Sequence, residues 1–134
     1  MSNHKIRTAI EYLRPNAQFD LDGDTLTGLK WTDLKQKRPS DAEITDAMPA
    51  ALLAAARVRK IAEAKAEAKR RILSRWPEEK QRNVLLGLLT QADVDACKSW
   101  IAAHITASNN IEADIQASAD PANFDVIGSL RWPA

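Results

Sequence analysis

The chain has 134 residues, a net charge of +1, 45% hydrophobic and 28% charged residues, the profile of one ordinary globular domain with no global field to draw it to nucleic acid or to an anionic membrane. One cysteine, Cys97, excludes an intramolecular disulfide framework, the start lacks the apolar stretch of a signal peptide, and no run is apolar enough for a membrane span. The chain is therefore expected to be made and kept in a cytoplasm, or packed into a particle assembled there. Much of the apolar content is alanine and only 5% of residues are aromatic. Alanine favours helix but buries little area, so good helices around a thin core are expected, and thin cores are often completed by a partner.

Residues 9–31 read as β-structure. Tyr12 to Asn16 looks like a short strand entering a turn, because Pro15 pushes Arg14 towards extended geometry. Ala17, Phe19 and Leu21 then alternate with polar residues, Asp22-Gly23-Asp24 signals a turn, and Thr25, Thr27, Leu29 and Trp31 share one parity. That is a hairpin pattern. Residues 1–38 are thus expected to form an N-terminal β-hairpin element that docks on a partner, with Trp31 as its anchor.

Residues 39–120 read as helical. Ser40 and Glu43 have capping-box spacing and open a short helix over 41–47. Pro49 either breaks that helix or lies in the first turn of the next. Residues 50–76 form the clearest helix, with a narrow apolar stripe of Ile61, Ala64, Ala68, Ile72 and Trp76. Pro77 ends or kinks it. Glu78 and Glu79 suit the start of a helix over 77–89, whose Val84, Leu85, Leu86, Leu88 and Leu89 mark it as the buried centre.

Thr90 and Asp93 cap the last helix. Val94, Cys97, Ile101, His104, Ser108, Ile111, Ile115 and Ser118 follow at alternating steps of three and four, a coiled-coil seam with polar residues that lower its stability and fix register or oligomer state. Asn109-Asn110 weakens the helix midway. Pro121 stops it, and the 121–134 tail is expected to be extended and to pair with the hairpin. The fold class is mainly α with a small N-terminal β-hairpin (α+β), its long alanine-rich helices packed as a coiled coil or bundle. Residues 51–76 carry eight basic and two acidic groups, residues 91–134 two basic and six acidic. The basic and acidic helices are expected to pair antiparallel, within a chain or between chains, with charge setting the register.

No chemistry emerges. Asp20-Leu21-Asp22-Gly23-Asp24 invites a calcium loop, but the positions needing glycine and glutamate are Thr25 and Trp31. Cys97 and His104 would suggest a nucleophile and its base, yet seven residues separate them by about 10 Å along a helix. A ring of His104 side chains from three copies would hold an anion or metal, a reading less favoured than a seam contact. No zinc, phosphate-loop or hydrolase motif is present, so no enzyme, cofactor or metal is expected. The basic helix offers a phosphate-binding reading, without aromatics interleaved for base stacking. Trp100 and Trp132, with the other two tryptophans, read mainly as core anchors.

Several stretches together carry a resemblance: Ala9 to Ala17, Gly28-Leu29-Lys30-Trp31, Lys37 to Ile44, Gln81-Arg82-Asn83, Trp100-Ile101 and Ala107 to Glu112. In this order they resemble small accessory tail proteins encoded near the tail-fibre genes of tailed bacteriophages and prophages. The resemblance implies a non-enzymatic virion component of the tail, tail tip or tail fibre, assembled in the host cytoplasm. It implies contacts with other tail or tail-fibre proteins, and dimers or trimers of the chain. An assembly chaperone absent from the finished particle is the alternative, and a nucleic-acid binder using the basic helix is the third. The candidate interface residues are Trp31, Ile61, Ile72, Trp76, Val94, Cys97, Ile101, His104, Ile111 and Ile115. The resemblance carries no catalytic residues.

Overall fold

Ile6, Ala9, Ile10 and Leu13 recur at steps of three, one and three, which on a helix places them on one face. In the computed structural model, which describes residues 4–134, they form helix α1 (Lys5–Leu13) with Ile6, Ala9 and Ile10 buried. The expected strand at Tyr12 is therefore corrected to the end of a helix. Pro15 disfavours helical geometry at Arg14, and Asn16 takes a left-handed turn at φ 62°. Residues 1–3 of the expected N-terminal element lie outside the described residues.

The hairpin itself forms. Strands β1 (Phe19–Leu21) and β2 (Leu29–Trp31) pair antiparallel, Phe19 opposite Trp31 and Leu21 opposite Leu29. The Phe19 and Trp31 rings stack at 5.9 Å. Thr25 and Thr27, expected on the second strand with Leu29 and Trp31, are corrected to the connection between the strands, which is longer than the Asp22-Gly23-Asp24 turn alone. A single 3₁₀ turn covers Leu26–Gly28, and the Thr25 hydroxyl accepts from the Gly28 amide at 3.2 Å. Asp24 accepts from the Ile6 amide at 3.0 Å, satisfying one of the amides that a helix start leaves free. The acidic turn is thus tied to α1.

Helix α2 (Asp41–Arg75) is a single helix where two were expected. Its start is the capping box: the Glu43 amide donates to Ser40 Oγ at 3.1 Å and the Ser40 amide to Glu43 Oε1 at 3.3 Å. Pro49 lies inside the helix. It removes one backbone hydrogen bond, and buried Ile44 and Ala51 on either side hold the turn against Ile6, Ala9 and Ile10.

The chain divides into two compact units, one up to Ala56 and one from Arg57, with α2 beginning in the first and ending in the second. The first unit's core is the α1 face, Ile44 and Ala51, with Leu13, Phe19, Leu21, Leu29 and Trp31 packed on it.

The second unit pairs the 57–75 part of α2 with helix α4 (Gln91–Ala117). Arg57 donates to the Ser118 carbonyl at 3.2 Å, Lys65 meets Glu112 at 3.6 Å, and the Trp100 indole donates to the Arg71 carbonyl at 3.2 Å. Partners descend on one helix as they rise on the other, so the pair is antiparallel and lies within one chain. Charge contributes little to its register. Lys60 pairs with Glu63, and Arg70 and Arg71 with Glu67, all along α2 itself, which among the described residues leaves Lys65–Glu112 as the cross-helix pair, with Lys65 exposed and the pair of small value. Interdigitation of Ala64 and Ala68 with Ala107, Ile111 and Ile115 sets the register. The helix continues through Asn109-Asn110.

The tail departs from expectation. Pro121–Asn123 makes a 3₁₀ turn, and among the described residues the sheet consists of β1 and β2, so residues 124–132 add no strand. Instead Val126 and Trp132 are buried on Ala64, Ala68 and Ile111. The Trp132 indole donates to the Val126 carbonyl at 2.8 Å, and the Arg131 guanidinium clasps Asp114 at 3.0 and 3.1 Å. Large apolar side chains repay their burial in irregular backbone as well as in a strand.

Candidate interaction surface

Helix α3 (Glu78–Leu85) buries none of its residues. The expectation that 77–89 forms the buried centre is overturned, and the reason is local. Gly87, at φ 72°, ends the helix. Its amide donates to the Val84 carbonyl at 3.2 Å and the Leu88 amide to the Asn83 carbonyl at 3.0 Å, the two bonds of a Schellman termination. That motif usually packs the residue after the glycine on an apolar residue one turn back. Here those positions are Asn83 and Arg82, so Leu88 has nothing to pack on. Leu85, Leu86 and Leu88 are left 87%, 64% and 67% exposed.

Beside this turn two cavities follow one another along one face of α4, a discontinuous groove. A cavity of about 180 Å³ between α3 and α4 is lined by Val84, Leu85, Cys97, Lys98 and Ile101. A second, of about 270 Å³ between α2 and α4, is lined by Ala68, Ile72, Ile105 and Ser108, with Lys65, Lys69 and Glu112 at its rim. Lys98, Ile101, Ile105, Asn109 and Glu112 are spaced by threes and fours, one stripe of α4. Over 14 residues the stripe extends about 21 Å. Lys65, Lys69 and Lys98 are exposed, and among the described residues only Lys65 of the three has an acidic partner within ion-pair distance.

An aromatic group closes the other side of the seam. His104 is buried, its Nδ1 2.7 Å from the Trp100 carbonyl. A carbonyl only accepts, so Nδ1 carries the proton of this contact. Its ring centroid lies 4.3 Å from that of Trp100 and 6.3 Å from that of Trp132. Arg75 covers Trp100 and Arg71 covers Trp132, each at 4.8 Å. Glu67, buried beneath, accepts from Arg70 at 2.6 and 2.9 Å and from Arg71 at 2.8 Å. The Arg70 hydrogen bonds, against the opposing effect of burial and helped by Arg71, hold its pKa down at about 2.

These placements sort the expected interface residues. Cys97, His104, Ile111 and Ile115 are buried within their own unit. Ile61 packs on the same core and Val94 is half-buried. Trp76 is buried, its indole nitrogen without a hydrogen bond. Trp31 donates to the Gln36 carbonyl at 2.9 Å and stacks within the hairpin. Ile72 and Ile101 line the groove. The exposed residues Leu85, Leu86, Leu88 and Ile105 were not among the expected ones. Asn83 and Arg82, which deny Leu88 a packing partner, were the available signal.

Among the described residues no group of three or more histidine, cysteine or acidic side chains is arranged to hold a metal, and no helix is long and apolar enough to cross a membrane. Comparison with protein-family models, curated proteins and solved structures gives no match.

Proposed function

We propose that this protein acts by binding other proteins, as a structural component of a phage tail, tail tip or tail fibre. The exposure of three leucines within four consecutive residues, 85–88, next to an apolar cavity, is the observation that carries the docking part of this reading. Contiguous exposed apolar surface is a recurrent mark of interaction sites. The tail assignment rests on the resemblance of the sequence segments described above. The engagement of Arg57, Lys60, Lys65, Arg70, Arg71 and Arg75 with groups of their own unit weighs against phosphate binding by the basic helix.

Mass spectrometry of purified phage particles, assembled with and without the gene, tests the reading. Stoichiometric presence in the particle supports a tail component. Absence from particles whose fibres fail to assemble without the gene would instead assign the chaperone role. Absence with normal assembly would overturn both.

A further inference from the structure

We infer that the groove along α4 receives an acidic amphipathic α-helix of a partner protein, an inference that deepens the docking reading above and rests on it. The groove is made of two cavities that follow one another along one face of one helix: Ile101 and Ile105 lie on the stripe, with Leu85 contributed to the first cavity and Ile72 to the second by the flanking helices. A length of about 21 Å matches four turns of a bound helix, about 14 residues. Helices that lie in such grooves present apolar residues at steps of three, four and seven.

Charge identifies the partner's flanks. Lys65, Lys69 and Lys98 stand along the rim against one carboxylate, Glu112, which already faces Lys65. A helix with glutamate or aspartate beside its apolar stripe meets Lys69 and Lys98, with Lys65 shared with Glu112, while a basic helix meets repulsion. A second copy of this chain is a poorer occupant. Among the described residues its exposed large apolar side chains outside the groove are Tyr12, Leu34, Leu52, Leu53, Val58, Ile127, Leu130 and the leucine turn itself. Tyr12 lies at the end of a nine-residue helix with Glu11 beside it, Leu52, Leu53 and Val58 share α2 with Arg57, Arg59 and Lys60, and the rest lie outside helical stripes.

The test is selection of a display library of random 15-residue peptides on the full chain, followed by Kd measurement of the enriched peptides by fluorescence anisotropy. Two variants accompany it: Ile105→Asp, at a side chain 51% exposed, and the pair Lys69→Glu with Lys98→Glu, all at positions where circular dichroism is expected to show an unchanged fold. Enriched peptides are expected to be net negative, with apolar residues at helical spacing, and to bind each variant at least tenfold more weakly. Enrichment of neutral or basic peptides, binding that neither variant moves, or no enrichment would overturn the inference. A dimer in light scattering that Ile105→Asp dissolves would also overturn it, giving the groove to a second copy. Peptides that bind away from the groove overturn the inference and leave the docking reading standing, while that reading fails on its own if the chain is absent from the particle and dispensable for assembly.

Discussion

Glu67 offers a direct test of how the second unit is held together. The perturbation is Glu67→Gln, read across pH. The folded carboxylate has a pKa of about 2 against an ordinary value of 4.5, chiefly because Arg70 donates two hydrogen bonds to it, with Arg71 adding a third against the cost of burial. A depressed folded pKa means that the unfolded chain takes up the proton first as pH falls. The contribution is therefore complete above about pH 4.5, shrinks below it and is gone once pH has fallen through about 2. The displacement corresponds to at most about 3.4 kcal/mol, and solvent around the exposed Arg70 screens it towards about 1 kcal/mol. Urea unfolding followed by tryptophan fluorescence should show Glu67→Gln less stable by that amount at pH 7, with the gap closing as pH approaches 2. A gap that stays constant across this range would refute the electrostatic account and reduce Glu67 to a packing residue.

Trp132→Ala should cost about 3–5 kcal/mol in urea unfolding, the usual range for removing a buried aromatic, because the ring fills the core and carries Arg71 on its face. A loss below about 1 kcal/mol would mean that the tail does not complete that core. Gly87→Ala should lower stability by about 1 kcal/mol in a thermal melt through its left-handed backbone alone, since open space surrounds the position. An unchanged melting temperature would argue against the Schellman turn. Ser40→Ala should cost about 1 kcal/mol by removing the α2 cap, with no effect counting against the capping box.

The elements whose signals are local were legible in the sequence. The Ser40–Glu43 box, the Thr90 cap and a hairpin with Phe19, Leu21, Leu29 and Trp31 in its strands appear where residue spacing places them. The hairpin's register does not, because the connection runs past the Asp22-Gly23-Asp24 turn and takes in Thr25 and Thr27. The α4 seam does fall where its spacing places it, and its buried residues are Cys97, His104, Ser108, Ile111 and Ile115. The spacing could not say whether that seam closes on the same chain. The answer depends on the small face of Ala64 and Ala68 lying opposite, which is a tertiary fact. The misread segments share a cause. Residues 9–13 are short enough for periods of two and three to compete, and the hairpin pattern next to them was extended too far. Pro49 reads in the sequence as a helix breaker or as the opening of the next helix, and the burial of Ile44 and Ala51 on both sides of it holds one continuous helix instead.

The leucine run shows why an apolar composition does not by itself locate a core. A side chain is buried only if something lies opposite it. Gly87 fixes the direction in which the chain leaves α3, and Asn83 and Arg82 occupy the positions on which Leu88 would otherwise pack. Leaving Leu85, Leu86 and Leu88 in water forgoes roughly 1.5–3 kcal/mol for each side chain fully covered. No backbone hydrogen bond of the turn requires leucine, because its conformational demand falls on the glycine. Polar residues there would leave the fold as stable and more soluble. The stabilisation these leucines hold in reserve is therefore realised only when a surface from outside the chain covers them, and the groove beside them sets the shape of what that surface has to be.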